Sequence, residues 1–187
     1  MGNSRSRAMV GGETIMWEYS LTPQEEAISV EIGYQRQKPY FGDPTRNVNY
    51  SEGDLWEMWQ HSVAVGSELA FARMVGKDDF VPHYNKWKSE LDIPGLGEVR
   101  YSFREKPQLR YTIRDDDSLI YILLADGLRH KTRRNAPNYK GTPYRAIGWM
   151  VGADCKRDEW KYNEKTWYVP SESLIQMKEL DQILRKG

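Results

Sequence analysis

Three charged residues around one short turn could do chemistry: Asp92, Glu98 and Arg100. Pro94 and Gly95 lie between the two acids and are typical turn residues, so the segment predicts a tight hairpin. With the turn centred on Gly95, Asp92 falls opposite Glu98, where paired side chains lie roughly 4.5–5.5 Å apart and like charges repel. Two carboxylates so placed need a counter-charge, which a divalent metal ion could supply. Arg100 projects from the same face as Glu98, because side chains alternate along a strand.

Phosphodiester hydrolysis is the reaction that this set of side chains fits. The reaction needs an activated water, stabilisation of charge on the phosphoryl oxygens and help for the leaving group, and Mg²⁺ can supply all three. Mg²⁺ is usually held by one or two carboxylates, with waters and substrate phosphates completing its coordination. Arg100 stays cationic, so it cannot act as a general base, but it can contact the scissile phosphate. The sequence therefore predicts a catalytic site of Asp92, Glu98 and Arg100 with Mg²⁺, for which Mn²⁺ could substitute.

Asp92 followed by Glu98-Val99-Arg100 resembles the PD-(D/E)XK superfamily, the restriction-endonuclease-like nucleases. In that pattern an Asp and a Glu hold Mg²⁺, and a Lys after one spacer residue helps to position the attacking water. A further Glu often comes from the helix before the sheet, which implies that Glu68 is a third metal ligand. The chain departs from the pattern in two ways: Arg100 replaces the Lys, and only five residues separate Asp92 from Glu98. The resemblance covers roughly residues 54–125.

The strongest predicted helix, over residues 53–75, carries Glu68. Apolar side chains recur at three- and four-residue spacing and form a stripe along this helix. The stripe consists of Leu55, Met58, Trp59, Val65, Leu69 and Ala72. Glu68 lies beside the stripe, where a carboxylate is costly unless it is paired or bound to metal. The alternative is that Glu68 lies at the rim of the stripe and reaches water.

The remaining elements predict an α/β (α+β) domain. Thr22 and Glu25 form a capping box at the start of a helix over residues 23–36. The strand at 119–125 is expected to be central, since apolar residues occupy both of its faces. The resemblance implies a restriction-endonuclease-like mixed β-sheet flanked by helices, although the late helix of that core is not evident between 125 and 145. Further strands are predicted at 98–104, 108–114, 145–151 and 166–169, and a final helix at 172–185, capped by Ser171.

Composition limits the partners and the compartment. The chain has 27 basic and 27 acidic residues, so a nucleic-acid footprint must be a local patch. No apolar run approaches the ~20 residues of a membrane helix, and the single Cys155 fits a reducing cytoplasm. We therefore expect a cytoplasmic protein without a membrane segment, and the sequence leaves a homodimer open. The elements divide the chain into a flexible N-terminus (1–15), a helical extension and loop (16–52) and a nuclease-like domain (53–187).

A run of basic residues is the sharpest charge feature, and Arg145 extends it. In a chain of zero net charge, such a run is typical of phosphate binding, and the nuclease resemblance implies DNA as the partner. Tyr139 and Tyr144 add candidate stacking surfaces. A solvated loop is the alternative. The predicted nucleic-acid-binding residues are Arg129, His130, Lys131, Arg133, Arg134 and Lys140.

Three functions remain open from the sequence. The first is a metal-dependent nuclease acting on DNA. The second is a catalytically degenerate protein of nuclease fold that binds nucleic acid or a protein partner without cutting; in it, Asp92 caps the turn while Glu98 and Arg100 form a cross-strand ion-pair lattice. The third is an interaction protein with no nucleic-acid role. The acids at 115–117 are interpreted as a solvated turn rather than a metal cluster.

Overall fold

Two β-sheets and three α-helices build the part of the chain that this computed structural model describes, which comprises residues 17–41, 53–84, 91–125 and 142–184. The helices are α1 (Pro23–Gln37), α2 (Gly53–Met74) and α3 (Met177–Leu184). The strands are β1 (Trp17–Tyr19), β2 (Glu98–Ser102), β3 (Gln108–Thr112), β4 (Ile120–Ala125), β5 (Tyr144–Val151), β6 (Lys161–Asn163) and β7 (Thr166–Pro170). The predicted α+β class is confirmed. In these ranges no helix is long and apolar enough to cross a membrane.

Helices α1 and α2 begin where local signals place them and pack against each other. The capping box at Thr22 is complete: its hydroxyl accepts from the Glu25 N–H at 3.2 Å, and the Glu25 carboxylate accepts from the Thr22 N–H at 2.9 Å. Gly33 permits the close approach of α1 to α2, because a Cβ there would lie 2.3 Å from Ser62 Oγ. The two helices therefore form one layer, which covers one face of a sheet.

The larger sheet has the strand order β1-β5-β4-β2, with β4 parallel to β2 and antiparallel to β5. Ile122 and Leu124 of β4 belong to the core on the helical side. Tyr121 and Leu123 belong to a second core on the opposite side. The prediction that this strand is central and buried on both faces is confirmed, and the pairing makes this sheet mixed, as predicted.

A second sheet, with the order β3-β7-β6, covers that opposite side. The sequence places β3 between β2 and β4, yet it leaves both and pairs antiparallel with β7. The inner face of this second sheet packs against β4 through Leu109 and Tyr111 of β3 and Trp167 and Val169 of β7. The layers are thus helices, mixed sheet and small antiparallel sheet.

The C-terminal helix begins later than the sequence predicts. Residues Ser171–Ser173 form a single 3-10 turn, and α3 begins at Met177, so Ser171 is not its cap. Between them Ile175 forms an antiparallel bridge with Trp149, through N–H to O distances of 2.9 and 3.0 Å. Because β1 pairs only with residues 144–146 of β5, the rest of that edge is available to Ile175. Edge pairing therefore outweighs helical propensity here.

Candidate active site

The predicted hairpin before β2 forms with the expected register. Ile93 and Gly97 are bridged by two backbone hydrogen bonds, of 3.0 and 3.2 Å. Gly95 has a φ of +74°, in the left-handed region that favours glycine. The bridge places Asp92 across from Glu98, as the sequence predicts.

Asp92 fixes the start of β2 through its side chain. Its Oδ2 accepts from the Val99 N–H at 2.9 Å, and the residue is only 8 % exposed. The same oxygen lies 3.9 Å from Arg100 Nη1. Asp92 therefore has both a structural hydrogen bond and a contact with the neighbouring guanidinium.

Arg100 is shared among three carboxylates. Its Nη2 donates to Asp115 Oδ1 at 3.0 Å. Its Nη1 donates to Glu98 Oε2 at 3.3 Å and approaches Asp92 as described. The guanidinium carbon also lies 5.3 Å from the centre of the Tyr121 ring. Burial acts to lower the pKa of Arg100, but the charges of the three carboxylates outweigh it and the pKa is raised, so the side chain stays cationic.

Asp115 is a member of this site that sequence reasoning missed. Its Oδ2 accepts from the Thr112 N–H at 2.7 Å and from the Thr112 hydroxyl at 3.1 Å, which anchors it at the end of β3. Its side chain is only 16 % exposed, so the interpretation of this acidic turn as solvated is wrong for Asp115. The turn beside it is also ordered: Asp117 accepts from the Tyr111 hydroxyl and pairs with Lys156 at 2.6 Å.

Glu68 is 4 % exposed and forms a two-point salt bridge with Arg36 of α1. The two carboxylate oxygens accept from Arg36 Nη1 and Nη2 at 2.8 and 3.0 Å. Arg36 also donates to the His83 carbonyl oxygen, at 2.8 Å from Nη2 and 3.1 Å from Nε. Burial acts to lower the pKa of Arg36, but the hydrogen bonds and charge of Glu68, with the charge of Asp92, raise it. The alternative that Glu68 reaches water at the rim of the helix is therefore wrong.

Some of these charged residues line a cleft of about 580 Å³ between the helices and the edge of β2. Glu68, Asp92, Arg100 and Arg36 all line it. Glu98 is paired in the parallel register with Tyr121 and so faces the second sheet. It reaches the cleft only through its contact with Arg100. The other walls include Tyr40, Gln60, His61, Tyr84, Tyr101 and Phe103.

The donor chemistry of the site fits Mg²⁺ at the minimum the ion requires. Within the described ranges, no three Asp, Glu, His or Cys side chains form a group that could hold a metal ion. Mg²⁺ nevertheless often uses only one or two protein carboxylates. Asp92 and Glu98 are the two carboxylates that could provide that pair, since both approach the same nitrogen of Arg100. Glu68 would have to exchange Arg36 for the ion.

The predicted phosphate-binding run lies almost wholly outside the described residues, since Arg129, His130, Lys131, Arg133, Arg134 and Lys140 fall within 126–141. Arg145, which extends the run, is part of β5, and its Nε donates to Glu18 Oε2 at 2.8 Å. Tyr144 is 1 % exposed in the core on the helical side. The predicted stacking role of Tyr144 is therefore wrong.

Comparisons of the chain with protein-family models, curated proteins and solved structures found no match. The chemistry of the site therefore has to be inferred from the side chains described above.

Proposed function

We propose that this protein is a metal-dependent nuclease that hydrolyses phosphodiester bonds in DNA. The observation that supports it best is that Asp92 and Arg100 line one cleft, with Glu98 beside them in contact with Arg100. The cleft volume of about 580 Å³ lies in the range of ligand sites, roughly 300–1,000 Å³. An acid pair beside an arginine in such a cleft is suited to a phosphodiester substrate.

Each residue has a distinct role in this proposal. Asp92 and Glu98 hold Mg²⁺ or Mn²⁺, which when bound would activate water and stabilise charge on the phosphoryl oxygens. Arg100 binds the scissile phosphate, since its forked guanidinium can contact two oxygens at once. Asp115 positions Arg100 through its 3.0 Å hydrogen bond. Glu68 joins the metal ligands only if Arg36 releases it.

We also propose that α2 and the mixed sheet are a variant of the restriction-endonuclease-like core. The support is the order of elements, in which α2 precedes the strand that carries Glu98 and Arg100. The late helix of that core would fall between β4 and β5, in a segment outside the described residues. The basic run of that same segment would hold DNA, and the single cysteine suggests the cytoplasm as the compartment.

A second candidate is the catalytically degenerate protein that binds nucleic acid without cutting. It is favoured by one specific observation: every acid of the site already contacts an arginine, and Glu68 does so through both oxygens. In that case Asp92 caps the turn, and Glu98 and Arg100 only form ion pairs with each other and their neighbours. The two candidates make opposite predictions for catalysis.

Cleavage of labelled single-stranded and duplex DNA with Mg²⁺ or Mn²⁺ separates them. We expect the wild type to cut, and Asp92→Asn and Glu98→Gln to be inactive yet folded, because an Asn oxygen can still accept from Val99. Titration calorimetry should show weaker Mn²⁺ binding in both variants. Glu179→Gln is the matched control, since this acid of α3 is exposed and does not line the cleft.

Two outcomes would contradict parts of this proposal. Unchanged Mn²⁺ binding in both Asp92→Asn and Glu98→Gln would overturn the ligand assignment. A wild type that binds DNA but cuts neither substrate with any divalent ion would support the degenerate protein instead.

A further inference from the structure

The outer face of the second sheet carries a pair of tyrosines, one exposed and one half-buried. Tyr162 of β6 is 72 % exposed, and its ring centre lies 5.4 Å from that of Tyr168 on β7, with an angle of 76° between the planes. Arg110 of β3 lies directly across from Tyr168 in the antiparallel register and is exposed. One aromatic pair and one cation thus share a single open sheet face.

Arg104 extends this face with a second cation. Its guanidinium carbon lies 4.4 Å from the centre of the Tyr168 ring. Its Nη1 donates to Gln108 Oε1, which limits the rotation of the side chain. The guanidinium is therefore held close to the ring while the residue as a whole stays exposed. Arginine planes and aromatic rings are the two groups on which unpaired bases stack.

Basic residues outnumber acidic ones in the two segments that carry this face, although acids lie just beyond them at 115–117 and 158–159. The segments 104–114 and 161–170 contain six basic residues and two acids, whereas the whole chain is neutral. One of the two acids, Glu164, pairs with Lys161 at 3.3 Å. The basic residues of the two segments are Arg104, Lys106, Arg110, Arg114, Lys161 and Lys165. A polyanion is the partner that this charge favours.

We propose that the outer face formed by Arg104, Arg110, Tyr162 and Tyr168 binds single-stranded DNA. Proteins that bind single strands combine cations that follow the phosphates with aromatic rings on which bases stack. Bases paired within a duplex are covered by their neighbours and are not available to Tyr162. The choice of DNA over RNA depends on the proposed function, whereas the choice of a single strand depends on this face alone.

Fluorescence anisotropy with a labelled oligothymidylate of about 12 nucleotides tests the face, since single-strand sites in comparable folds span roughly 4–16 nucleotides. The buffer contains EDTA, so that cleavage cannot occur. We expect Tyr162→Ala to weaken binding roughly 5- to 150-fold, the loss of about 1–3 kcal/mol of stacking for one base. Tyr162→Phe keeps the ring and should bind like the wild type.

The charge contribution is read from the dependence of affinity on salt. On single strands the slope of log affinity against log salt changes by about 0.7 for each phosphate contact. Arg110→Ala should flatten the slope by about that amount if it makes one contact. Lys178→Ala removes an exposed cation from α3 and should leave the slope unchanged.

Three results would overturn the proposal: wild-type affinity in Tyr162→Ala, tighter binding of a duplex than of oligothymidylate, or tighter binding of oligouridylate. Because the assay excludes divalent ions, a wild type that fails to cut DNA leaves the single-strand part of the proposal intact. Conversely, intact oligothymidylate binding combined with absent cleavage would count against the proposed nuclease activity alone.

Discussion

Two arginines on either side of the β2 edge hold their carboxylates in different ways. Arg36 meets one carboxylate, that of Glu68, through two hydrogen bonds, and its side chain is 14 % exposed. Arg100 contacts three carboxylates, and its side chain is 31 % exposed. A bidentate, buried pair has the geometry of a cross-link between helices. A shared, more exposed guanidinium still has surface on which a phosphate can bind.

The difference predicts that one cluster serves stability and the other serves function. Both arginines line the same cleft and both contact carboxylates, so composition alone cannot distinguish the two clusters. Substitutions whose effects on folding and on catalysis are measured separately can distinguish the two clusters.

The largest expected effect is on stability, from Glu68→Ala. Removing one partner of a buried ion pair leaves the other charge uncompensated, which costs about 3–5 kcal/mol. Urea denaturation should show this loss in the free energy of unfolding. The double variant Arg36→Met with Glu68→Leu should recover most of this stability, since neither charge of the pair remains. A loss below about 1 kcal/mol, typical of exposed pairs, would show that this bridge is not a cross-link.

Arg100→Ala should act on catalysis instead. We expect single-turnover cleavage at saturating Mg²⁺ to fall by roughly 10²–10³-fold, the loss typical of one group that stabilises transition-state charge. Arg100→Lys should retain measurable cleavage, because it keeps the charge without the fork. Metal binding should survive both changes. Cleavage at the wild-type rate by Arg100→Ala would show that Arg100 serves only its ion pairs with the neighbouring carboxylates.

The smallest expected effect concerns a second helix-to-helix pair, Glu25 with Arg73 at 2.8 Å. Burial acts to raise the pKa of Glu25, but hydrogen bonds from Thr22, Arg73 and Tyr19 outweigh it and the pKa is lowered. A folded-state pKa below the unfolded value of about 4.3 means that the stabilisation is complete above that pH. It is lost as the pH falls through the folded-state pKa.

Glu25→Gln should therefore lose up to about 1 kcal/mol at neutral pH, the upper size of the charge contribution of an ion pair near the surface. The Gln side-chain oxygen can still accept from the Thr22 N–H, so the substitution mainly removes the charge. Urea denaturation at a series of pH values should show the difference from wild type shrinking in acid. A difference that is independent of pH would mean that the charge of Glu25 contributes nothing.

The parts of the fold that the sequence predicts correctly depend on near neighbours. The capping box at Thr22 positions α1, and the periodic stripe positions α2. The turn at Pro94 and Gly95 sets the register that brings Asp92 opposite Glu98. In each case the interacting groups are a few residues apart, so composition and spacing carry the information.

The parts that the sequence misses depend on partners far along the chain. Arg36 and Glu68 are 32 residues apart, and Arg100 and Asp115 are 15 apart, with no repeating pattern to link them. Tyr144 follows a basic run, which suggests exposure, but its ring packs directly against α2 and is buried. The nuclease activity, the metal and the role of the basic run stay predictions.

The pairing of β3 with β7 affects the order in which parts of the chain can fold during synthesis. Parallel strands need a long connection, and the one between β2 and β4 contains β3. The pairing partner of β3 is formed by Thr166–Pro170, near the end of the described chain. Asp115, which positions Arg100, is anchored at the end of β3. A nascent chain therefore carries Asp92, Glu98 and Arg100 well before the strand that completes their surroundings has left the ribosome.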